Sequence, residues 1–488
     1  MPPTAPSKRV RPLSRAARAG LMMAPRSGVK VRMYRQGLGD CFLLAFRKRS
    51  GRPFHLLIDC GVIIGQQPGR PEIGEIVEDI GLATQNHLDL LVVTHQHWDH
   101  LSGFVDAAEA FRRMKVDRLW LAWTEDLEDK LAHALDSQRR KSERVLRAAA
   151  LHLAAGTAGA ASGGTSGSAL DQVLGFMGTG AGGRSTADGL KAARDLCKKQ
   201  PHYCKPEHPP LTLGGVDGVR VYVLGPPHDP VKIKRYNDSK TNPQTYRANE
   251  LALEAQLAFL AAALPASAQP GPEDGLSSPF DTRLRIDKGT PVYEQLEKEW
   301  LTGSDAWRRV DLDWLDSTSA LALALDNATN NTSLALAFEL GAGGKVLLFP
   351  ADAQVGNWLS WHDQPWKDAR AKTVTAADLL RRTVLYKVGH HCSHNATLQQ
   401  RGLELMTSRD LVAMIPLDRK TAEKKGWVMP WPRLRKNLVK ATQGRILQVD
   451  DHSLPAKRPC PADVELAVWK KFQRDVSGND LYFELLIK

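Results

Sequence analysis

The sequence lacks an uninterrupted apolar run of about 18 residues, the minimum for a helix that crosses a membrane. The best candidate, residues 251–264, carries Glu254 and Gln256 and stops at Pro265, which is typical of an amphipathic or buried helix. The N-terminal residues also lack the apolar segment of a secretory signal. We therefore predict a cytoplasmic protein without a membrane span.

Cysteine is scarce, with six in 488 residues, too few for a fold that depends on disulfide bonds. A reducing compartment is consistent with this number. Cys197 and Cys204, with His202 and His208 close by in sequence, could hold a structural zinc ion. Because their spacing is not that of a zinc ribbon, a surface loop is the favoured interpretation.

Acidic residues are absent before Asp40, and residues 1–28 are rich in proline, alanine, arginine and serine. This composition predicts a basic, disordered tail, and an organellar transit peptide is the alternative. The chain as a whole has 66 Lys and Arg against 54 Asp and Glu, a net charge of +12. Such a charge favours anionic partners such as nucleic acid, although it can also serve solubility alone. The sequence does not indicate the oligomeric state.

The length of the chain exceeds that of one average domain. Strand and helix patterns alternate over 29–124, 211–228 and 319–488, and we predict that these ranges form one α/β core. Between them lie two large insertions. Residues 125–210 are helical at first and then rich in Gly, Ala and Ser, and residues 229–318 are polar with a helical middle.

The densest group of metal-binding side chains follows an apolar run at 88–93, which predicts a buried strand. His95, His97, Asp99 and His100 come directly after it, and imidazole and carboxylate are usual ligands of catalytic Zn²⁺. A turn that places the first two on one cation can place the last two on a second. Two cations roughly 3.5–4 Å apart can hold a hydroxide between them. A solvated, histidine-rich loop is the alternative.

The order His95-x-His97-x-Asp99-His100 after an apolar strand resembles the second motif of the metallo-β-lactamase superfamily. The resemblance implies a four-layer αββα sandwich with its metals at the sheet edge. Asp59, at the end of the predicted strand 54–58, is similar to the first motif of that superfamily. In that motif an aspartate supports the metal loop through hydrogen bonds rather than as a ligand.

Three further segments resemble one branch of the superfamily, which includes the hydrolase domain of bacterial DNA-uptake channel proteins (ComEC-type) and phosphorylcholine esterases. The turn at 36–40 is similar to its opening Gly-Gln-Gly-Asp segment. Asn330 begins a segment similar to its Asn-x-x-Ser-Leu strand, and Asp352 stands where the branch has Thr-Gly-Asp. The resemblance implies that Asp352 bridges the two cations.

The third segment, residues 387–394, is similar to the branch's Lys-Val-x-His-His-Gly-Ser signature. The resemblance implies that His391 binds metal and that His390 contacts a substrate phosphate or protonates a leaving group. Lys387 and His394 could add positive charge.

The main departure from this branch lies at 428–432, which read Val-Met-Pro-Trp-Pro. The branch has Gly-His-Pro there, and its histidine completes the second metal site. His228, which ends the predicted strand 219–224, or His394 could substitute for it. Alternatively, water fills the position or one metal site is weak.

These patterns predict a hydrolase that uses two divalent cations, Zn²⁺ or alternatively Mn²⁺, and a metal-bridged hydroxide, with Asp99, His390 and Asp59 as catalytic residues. A nuclease or phosphodiesterase is favoured by the charge, the basic tail and the resembling branch. A small-molecule hydrolase acting on a lactam, lactone, thioester or phosphocholine ester would instead have a capped, narrow pocket. A nucleic-acid-binding protein with a degenerate metal site would explain the missing histidine.

Overall fold

The computed structural model describes residues 20–156, 184–235, 286, 289–300, 313–367, 372–454 and 457–488, and within them the chain is a mixed α/β protein. The strands are β1 (Val29–Tyr34), β2 (Cys41–Arg47), β3 (Pro53–Cys60), β4 (His87–Leu88), β5 (Leu90–Val92), β6 (Lys115–Val116), β7 (Leu119–Ala122), β8 (His202–Cys204), β9 (Leu211–Thr212), β10 (Val219–Gly225), β11 (Ala335–Leu340), β12 (Lys345–Phe349), β13 (Trp366–Lys367), β14 (Thr373–Val374), β15 (Thr383–Lys387), β16 (Val412–Ile415), β17 (Ile446–Gln448), β18 (Val476–Gly478) and β19 (Tyr482–Ile487). The helices are α1 (Ile73–Thr84), α2 (Trp98–Asp106), α3 (Ala108–Arg112), α4 (Lys130–Gly156), α5 (Thr186–Asp195), α6 (Pro291–Trp300), α7 (Asp313–Asn331), α8 (Val355–Trp361), α9 (Ala376–Arg381), α10 (Arg419–Lys424), α11 (Pro432–Thr442) and α12 (Leu466–Asp475).

Two large sheets organise these elements. The first has the order β18-β19-β1-β2-β3-β5-β7-β8, and the second has the order β17-β16-β15-β12-β11-β10-β9. In the first sheet β3, β5, β7 and β8 run parallel, and in the second β12, β15, β16 and β17 do so. The carboxyl ends of parallel strands meet at one edge of a sheet, where α/β proteins usually build their ligand sites.

The two sheets share one apolar core, and the alternation of strand residues places it between them. In β2, Phe42, Leu44 and Phe46 belong to this shared core, whereas Leu43 and Ala45 pack with the helices on the opposite face.

The second sheet shows the same alternation. Leu347 and Phe349 of β12 face the shared core, and Val346 and Leu348 pack on the other side with Trp358 of α8. Each sheet is therefore apolar on both faces, as expected for strands that are covered on both sides.

The strands predicted at 54–58 and 219–224 are confirmed as β3 and β10. The turn predicted directly after residues 88–93 is different, because α2 already begins at Trp98. Asp99 and His100 therefore lie in the first turn of a helix and not in a loop.

The predicted insertions are described only in part. The helix predicted at 125–153 is confirmed as α4, and α5 follows the Gly-rich segment. The basic tail up to residue 19, residues 157–183, and 236–285 with the apolar segment 251–264 lie outside the described residues. No helix in the described ranges is long and apolar enough to cross a membrane.

The last strand of the chain completes the first sheet. β19 pairs antiparallel with β1 over its whole length, from Val29 opposite Ile487 to Tyr34 opposite Tyr482. Residues 319–488, which the sequence predicted as one stretch of the core, thus contribute strands to both sheets.

A buried ion pair joins α1 to this part of the first sheet. Arg32 Nη1 lies 2.7 Å from Asp79 Oδ2, and Tyr34 Oη donates to the same oxygen over 2.8 Å. Asp79 is fully buried and Arg32 is 3 % exposed, but Arg32 also reaches Glu484 over 2.9 Å. Removing one member of such a pair leaves a charge in the core.

We expect Asp79→Ala to lower the free energy of unfolding by about 3 kcal/mol, because Arg32 then keeps only Glu484 as a partner for its buried charge. Chemical denaturation of the metal-free protein measures this change. Glu78→Ala is the matched control, since Glu78 is on the same helix but forms an exposed pair with Arg113. Its effect is expected within about 0.5 kcal/mol, and equal losses for both variants would contradict the prediction.

Candidate metal centre

The metal-binding motifs come together at the carboxyl ends of parallel strands from both sheets. β3 ends with Asp59-Cys60, and β5 leads into the segment from Thr94 to His100. In the second sheet, β12 leads to Asp352 and β15 leads to His390 and His391. Residues far apart in the chain are thereby brought to one place.

The first pair of imidazoles points inward together. His95 Nε2 and His97 Nδ1 lie 3.1 Å apart, and both side chains are buried. His97 is the N-cap residue of α2 and has an extended backbone, which turns its ring back toward His95. Two nitrogens at this separation can face one cation.

Asp99, His100, Asp352 and His391 form a second group. His391 Nε2 is 2.8 Å from Asp99 Oδ2, and Asp352 Oδ2 is 3.3 Å from His100 Nε2 and 3.6 Å from His391 Nε2. Asp99 Oδ1, His100 Nε2 and Asp352 Oδ2 are buried without a hydrogen-bond partner. Buried polar atoms are almost always paired, so this set of imidazole and carboxylate atoms fits a divalent cation.

Three of the four histidines have a hydrogen-bond partner for the ring nitrogen that faces outward. These are Thr94 Oγ1 for His95 (3.0 Å), Asp59 Oδ2 for His100 (2.8 Å) and the Pro416 carbonyl for His391 (2.8 Å). The fourth, His97, faces Asp326 Oδ1 at 3.7 Å, which is longer than a hydrogen bond. Such partners fix the tautomer and the ring orientation of a metal ligand. Once they have lost their protons, the inner nitrogens can offer lone pairs to a cation in the site.

Asp59 holds the metal loop entirely through hydrogen bonds. It accepts from the Thr94 amide over 2.8 Å, from Thr94 Oγ1 over 2.6 Å and from His100 Nδ1. Its backbone has a φ of 53°, a left-handed conformation that is costly for a residue with a side chain. Asp59 therefore supports the site and does not face the inner atoms.

Lys387 is buried between two carboxylates. Its Nζ lies 2.6 Å from Asp40 Oδ2, 3.1 Å from Asp352 Oδ1 and 2.9 Å from the Ala351 carbonyl. Because Lys387 holds one oxygen of Asp352, the other oxygen is directed toward the histidines. The positive charge of Lys387 thus compensates the two carboxylates within the site and does not face a substrate.

Asp40 belongs to the same buried group. One ligand atom each of Asp40, His100, Asp352 and His391 lies within 4.8 Å of the others. However, the nitrogens of His100 and His391 nearest to Asp40 are the outward-facing ones, at 3.9 and 4.0 Å. Asp40 thus lies behind the histidines and holds Lys387.

The loop after β15 has an unusual backbone. His390, His391 and Cys392 have φ values of 42°, 51° and 70°, in the left-handed region. Each such residue costs of order 1 kcal/mol or more, a strain typical of functional loops. Glycine is the residue that adopts this conformation without cost, and none of the three is glycine.

His390 lies beside the metal ligands but has other partners. Its Nδ1 is 3.0 Å from Ser393 Oγ, and its Nε2 is 3.5 Å from the Asn330 amide nitrogen. Burial lowers the pKa of His390 to about 4, so the ring is neutral at neutral pH. A neutral ring suits a hydrogen bond to substrate better than protonation of a leaving group.

Two candidate residues lie elsewhere. His228 is bound to Asp129 at 2.9 Å and packs against the Trp123 ring. The His394 ring lies 5.7 Å from that of Trp431, whose amide donates to the Cys392 carbonyl. Among the described residues, neither histidine joins a metal-binding group, so neither replaces the missing Gly-His-Pro histidine.

The possible zinc site at Cys197 and Cys204 is also not formed. Both cysteines are buried, and in the described part of the chain they form no metal-binding group with His202 or His208. Cys204 belongs to β8, so the loop that the sequence favoured is partly a strand.

The imidazoles differ in charge. Burial together with the neighbouring His100 holds the pKa of His95 well below its ordinary value, and burial lowers that of His97 to about 3. Burial also opposes charge on His100 and His391, but the carboxylates Asp352 and Asp99 outweigh it and raise both pKa values. Protons on His100 and His391 therefore balance the carboxylates in the metal-free protein.

This proton balance predicts a pH-dependent effect of metal. A raised pKa contributes stability that is complete below the ordinary value of 6.5 and is lost as the pH rises through the raised values. Cations compete with these protons and bind better as they leave. We expect the rise in Tm caused by Zn²⁺, relative to chelator, to grow from about pH 6 to about pH 8. A constant or falling difference would contradict it.

Asp326 allows a second prediction at the site. Asn330 Nδ2 donates to Asp326 Oδ2 over 3.0 Å, which directs Oδ1 toward His97. Loss of such an outer partner typically weakens metal binding by about 10- to 100-fold. We expect this loss for Asp326→Ala in a competition titration with a chromophoric chelator. Asp326→Asn keeps an acceptor for His97 and should lose less, and equal affinity of the alanine variant and wild type would refute the assignment.

The sequence analysis gave no role to Asp40 or Asp326. The Gly-Asp turn pointed to Asp40, whereas Asp326 lies on α7 without any local motif.

A scan of the chain against protein-family models and a search of curated protein sequences found no match.

Proposed function

We propose that this protein is a metal-dependent hydrolase of the metallo-β-lactamase type, with the αββα arrangement that the resemblance implies, and that it cleaves phosphodiesters. One observation carries this proposal, the buried convergence of ligand atoms from several separate loops. The atoms belong to His95, His97, Asp99, His100, Asp352 and His391. Three of their polar atoms are buried without a hydrogen-bond partner, which supports a cation as the partner.

The division of the ligand atoms suggests two cations, Zn²⁺ or Mn²⁺. His95 and His97 would hold one, Asp99, His100 and His391 the other, and Asp352 would lie between them. When bound, such cations supply Lewis-acid activation of water and of the scissile bond.

The chain's own residues have separate tasks in this reaction. Thr94 and Asp59 orient histidine rings, and Lys387 orients Asp352. The neutral ring of His390, beside Asn330, would contact the substrate. Preorganised groups of this kind need no rearrangement when charge develops in the transition state.

A phosphodiester is supported by the net charge of +12 and by the resemblance of residues 387–394 to a phosphodiester-cleaving branch. Nucleic acid is the polymeric candidate. A small-molecule hydrolase is the second candidate, and burial of the site favours it. Every proposed metal ligand is at most 2 % exposed, so a nucleic acid would have little access to the site.

The test is hydrolysis by metal-free protein after Zn²⁺ or Mn²⁺ is added back, with DNA, RNA and a chromogenic phosphodiester as substrates. The double variant His97→Ala/Asp99→Ala is the control, and activity unchanged in it would reveal a contaminant. A lack of phosphodiester cleavage with about two ions bound would favour the small-molecule hydrolase. Fewer than about one ion per chain would favour a binding protein with a degenerate site.

A further inference from the structure

A cleft lies beside the candidate metal centre, between α4 and α7. Gln96, the residue between His95 and His97, lines it together with Thr124 and Glu125. None of the proposed metal ligands lines it. The cleft is therefore a separate feature that contacts the metal motif through Gln96.

Two polar atoms in the cleft wall have no partner. Gln96 Oε1 and Thr124 Oγ1 are buried without a hydrogen bond, in side chains of residues that are 8 % and 6 % exposed. The amide of Gln96 cannot turn freely, because its Nε2 donates to Glu125 Oε2. Leaving such atoms unpaired is unfavourable, so a ligand that pairs them gains affinity.

The other hydroxyl groups of the wall are already satisfied. Ser142 donates to the Gln138 carbonyl over 3.0 Å, Thr329 to the Leu325 carbonyl over 3.0 Å, and Thr332 to the Thr329 carbonyl over 2.6 Å. The open hydrogen-bonding capacity of the wall thus lies with an acceptor, Gln96 Oε1, and a hydroxyl, Thr124 Oγ1.

The charge of the wall disfavours an anion. Arg139 is the one cation among the lining residues, and it lies 2.6 Å from both Asp136 and Glu143. Glu125 adds a further carboxylate. The remaining surface is apolar and includes Leu135, Ile233 and Leu325.

We infer that this cleft binds an uncharged amide group carried on an apolar chain, as a specificity subsite for the non-scissile part of the substrate. An amide N–H donates to Gln96 Oε1, and the amide oxygen accepts from Thr124 Oγ1. The chain lies along the apolar wall. This assignment to a substrate rests on the proposed hydrolase function and points to a small ester bearing an amide.

Binding is tested without catalysis by titrating the full-length protein with butanamide and with butanoate, probes of equal length. We expect butanamide to bind about tenfold more tightly, because only the amide supplies a donor and no negative charge. Thr124→Val should weaken butanamide binding by about fivefold or more. Thr329→Val is the matched control with little expected effect, since its hydroxyl is already bonded within the helix.

Equal or tighter binding of butanoate, or unchanged affinity of Thr124→Val for butanamide, would overturn the inference. A parallel assay uses para-nitrophenyl phosphodiesters whose second alcohol ends in an amide or a carboxylate. Cleavage of both esters at equal rates would contradict the proposed subsite but would agree with the proposed hydrolase function. Selective butanamide binding without cleavage of either ester would support the cleft as an amide-binding site and contradict the proposed phosphodiesterase activity.

Discussion

Replacement of Asp352 by alanine is expected to lower kcat/KM for a phosphodiester by about 10³-fold or more, together with loss of bound metal. One oxygen of Asp352 faces His100 and His391, while its other oxygen is held by Lys387. Cations contribute several kcal/mol of transition-state stabilisation, and about 4 kcal/mol corresponds to roughly 10³-fold in rate. Steady-state kinetics and elemental analysis of the same preparation measure the two losses.

Asp363→Ala is the control for this substitution. Asp363 is near Asp352 in sequence, but its carboxylate is exposed and pairs with Lys232 at the surface. We expect wild-type metal content and activity for it. If Asp352→Ala keeps both, while circular dichroism shows a folded protein, Asp352 does not hold the cations and the proposed centre is wrong.

The sequence allowed the prediction of those site residues that lie close together along the chain. His95, His97, Asp99 and His100 follow one short strand, so few conformations can separate them. Asp352 and His391 were found because each follows an apolar strand in a recognisable pattern. The end of a strand can be recognised from the local pattern of apolar and polar residues, which is present in a single sequence.

The position of Asp326 beside His97 could not be predicted from the sequence. It approaches His97 because α7 packs beside the metal motif, and nothing in the helix itself specifies that packing. The pairing of β19 with β1 is similar, since it joins the two ends of the described chain. Such contacts depend on tertiary packing, which overrides local preference.

The start of α2 was mispredicted for a related reason. The polar residues 95–100 suggested a loop, but the extended backbone of His97 caps a helix whose first turn contains Asp99 and His100. The N-terminal end of a helix carries a partial positive charge that favours a carboxylate there. Asp99 and His100 thus occupy helical positions that their polarity alone would assign to a loop.

Replacement of Lys387 by methionine is expected to destabilise the metal-free protein by about 5 kcal/mol, the upper end for a broken buried ion pair. Lys387 compensates two buried carboxylates, Asp40 and Asp352, through distances of 2.6 and 3.1 Å. Methionine fills the space of the lysine stem but leaves both charges uncompensated. Burial then favours their protonation at a cost in folding free energy.

Metal should restore much of this loss, which separates the proposed centre from an ordinary ion pair. A cation that binds only the folded state stabilises it in proportion to its affinity, and in the variant it also supplies the missing positive charge. The Zn²⁺-induced rise in Tm should therefore be larger for Lys387→Met than for wild type. Lys232→Met, which removes an exposed pair with Asp363, should behave like wild type. A destabilised Lys387→Met protein that gains no more from Zn²⁺ than wild type would show that the buried carboxylates are structural and do not face a metal site.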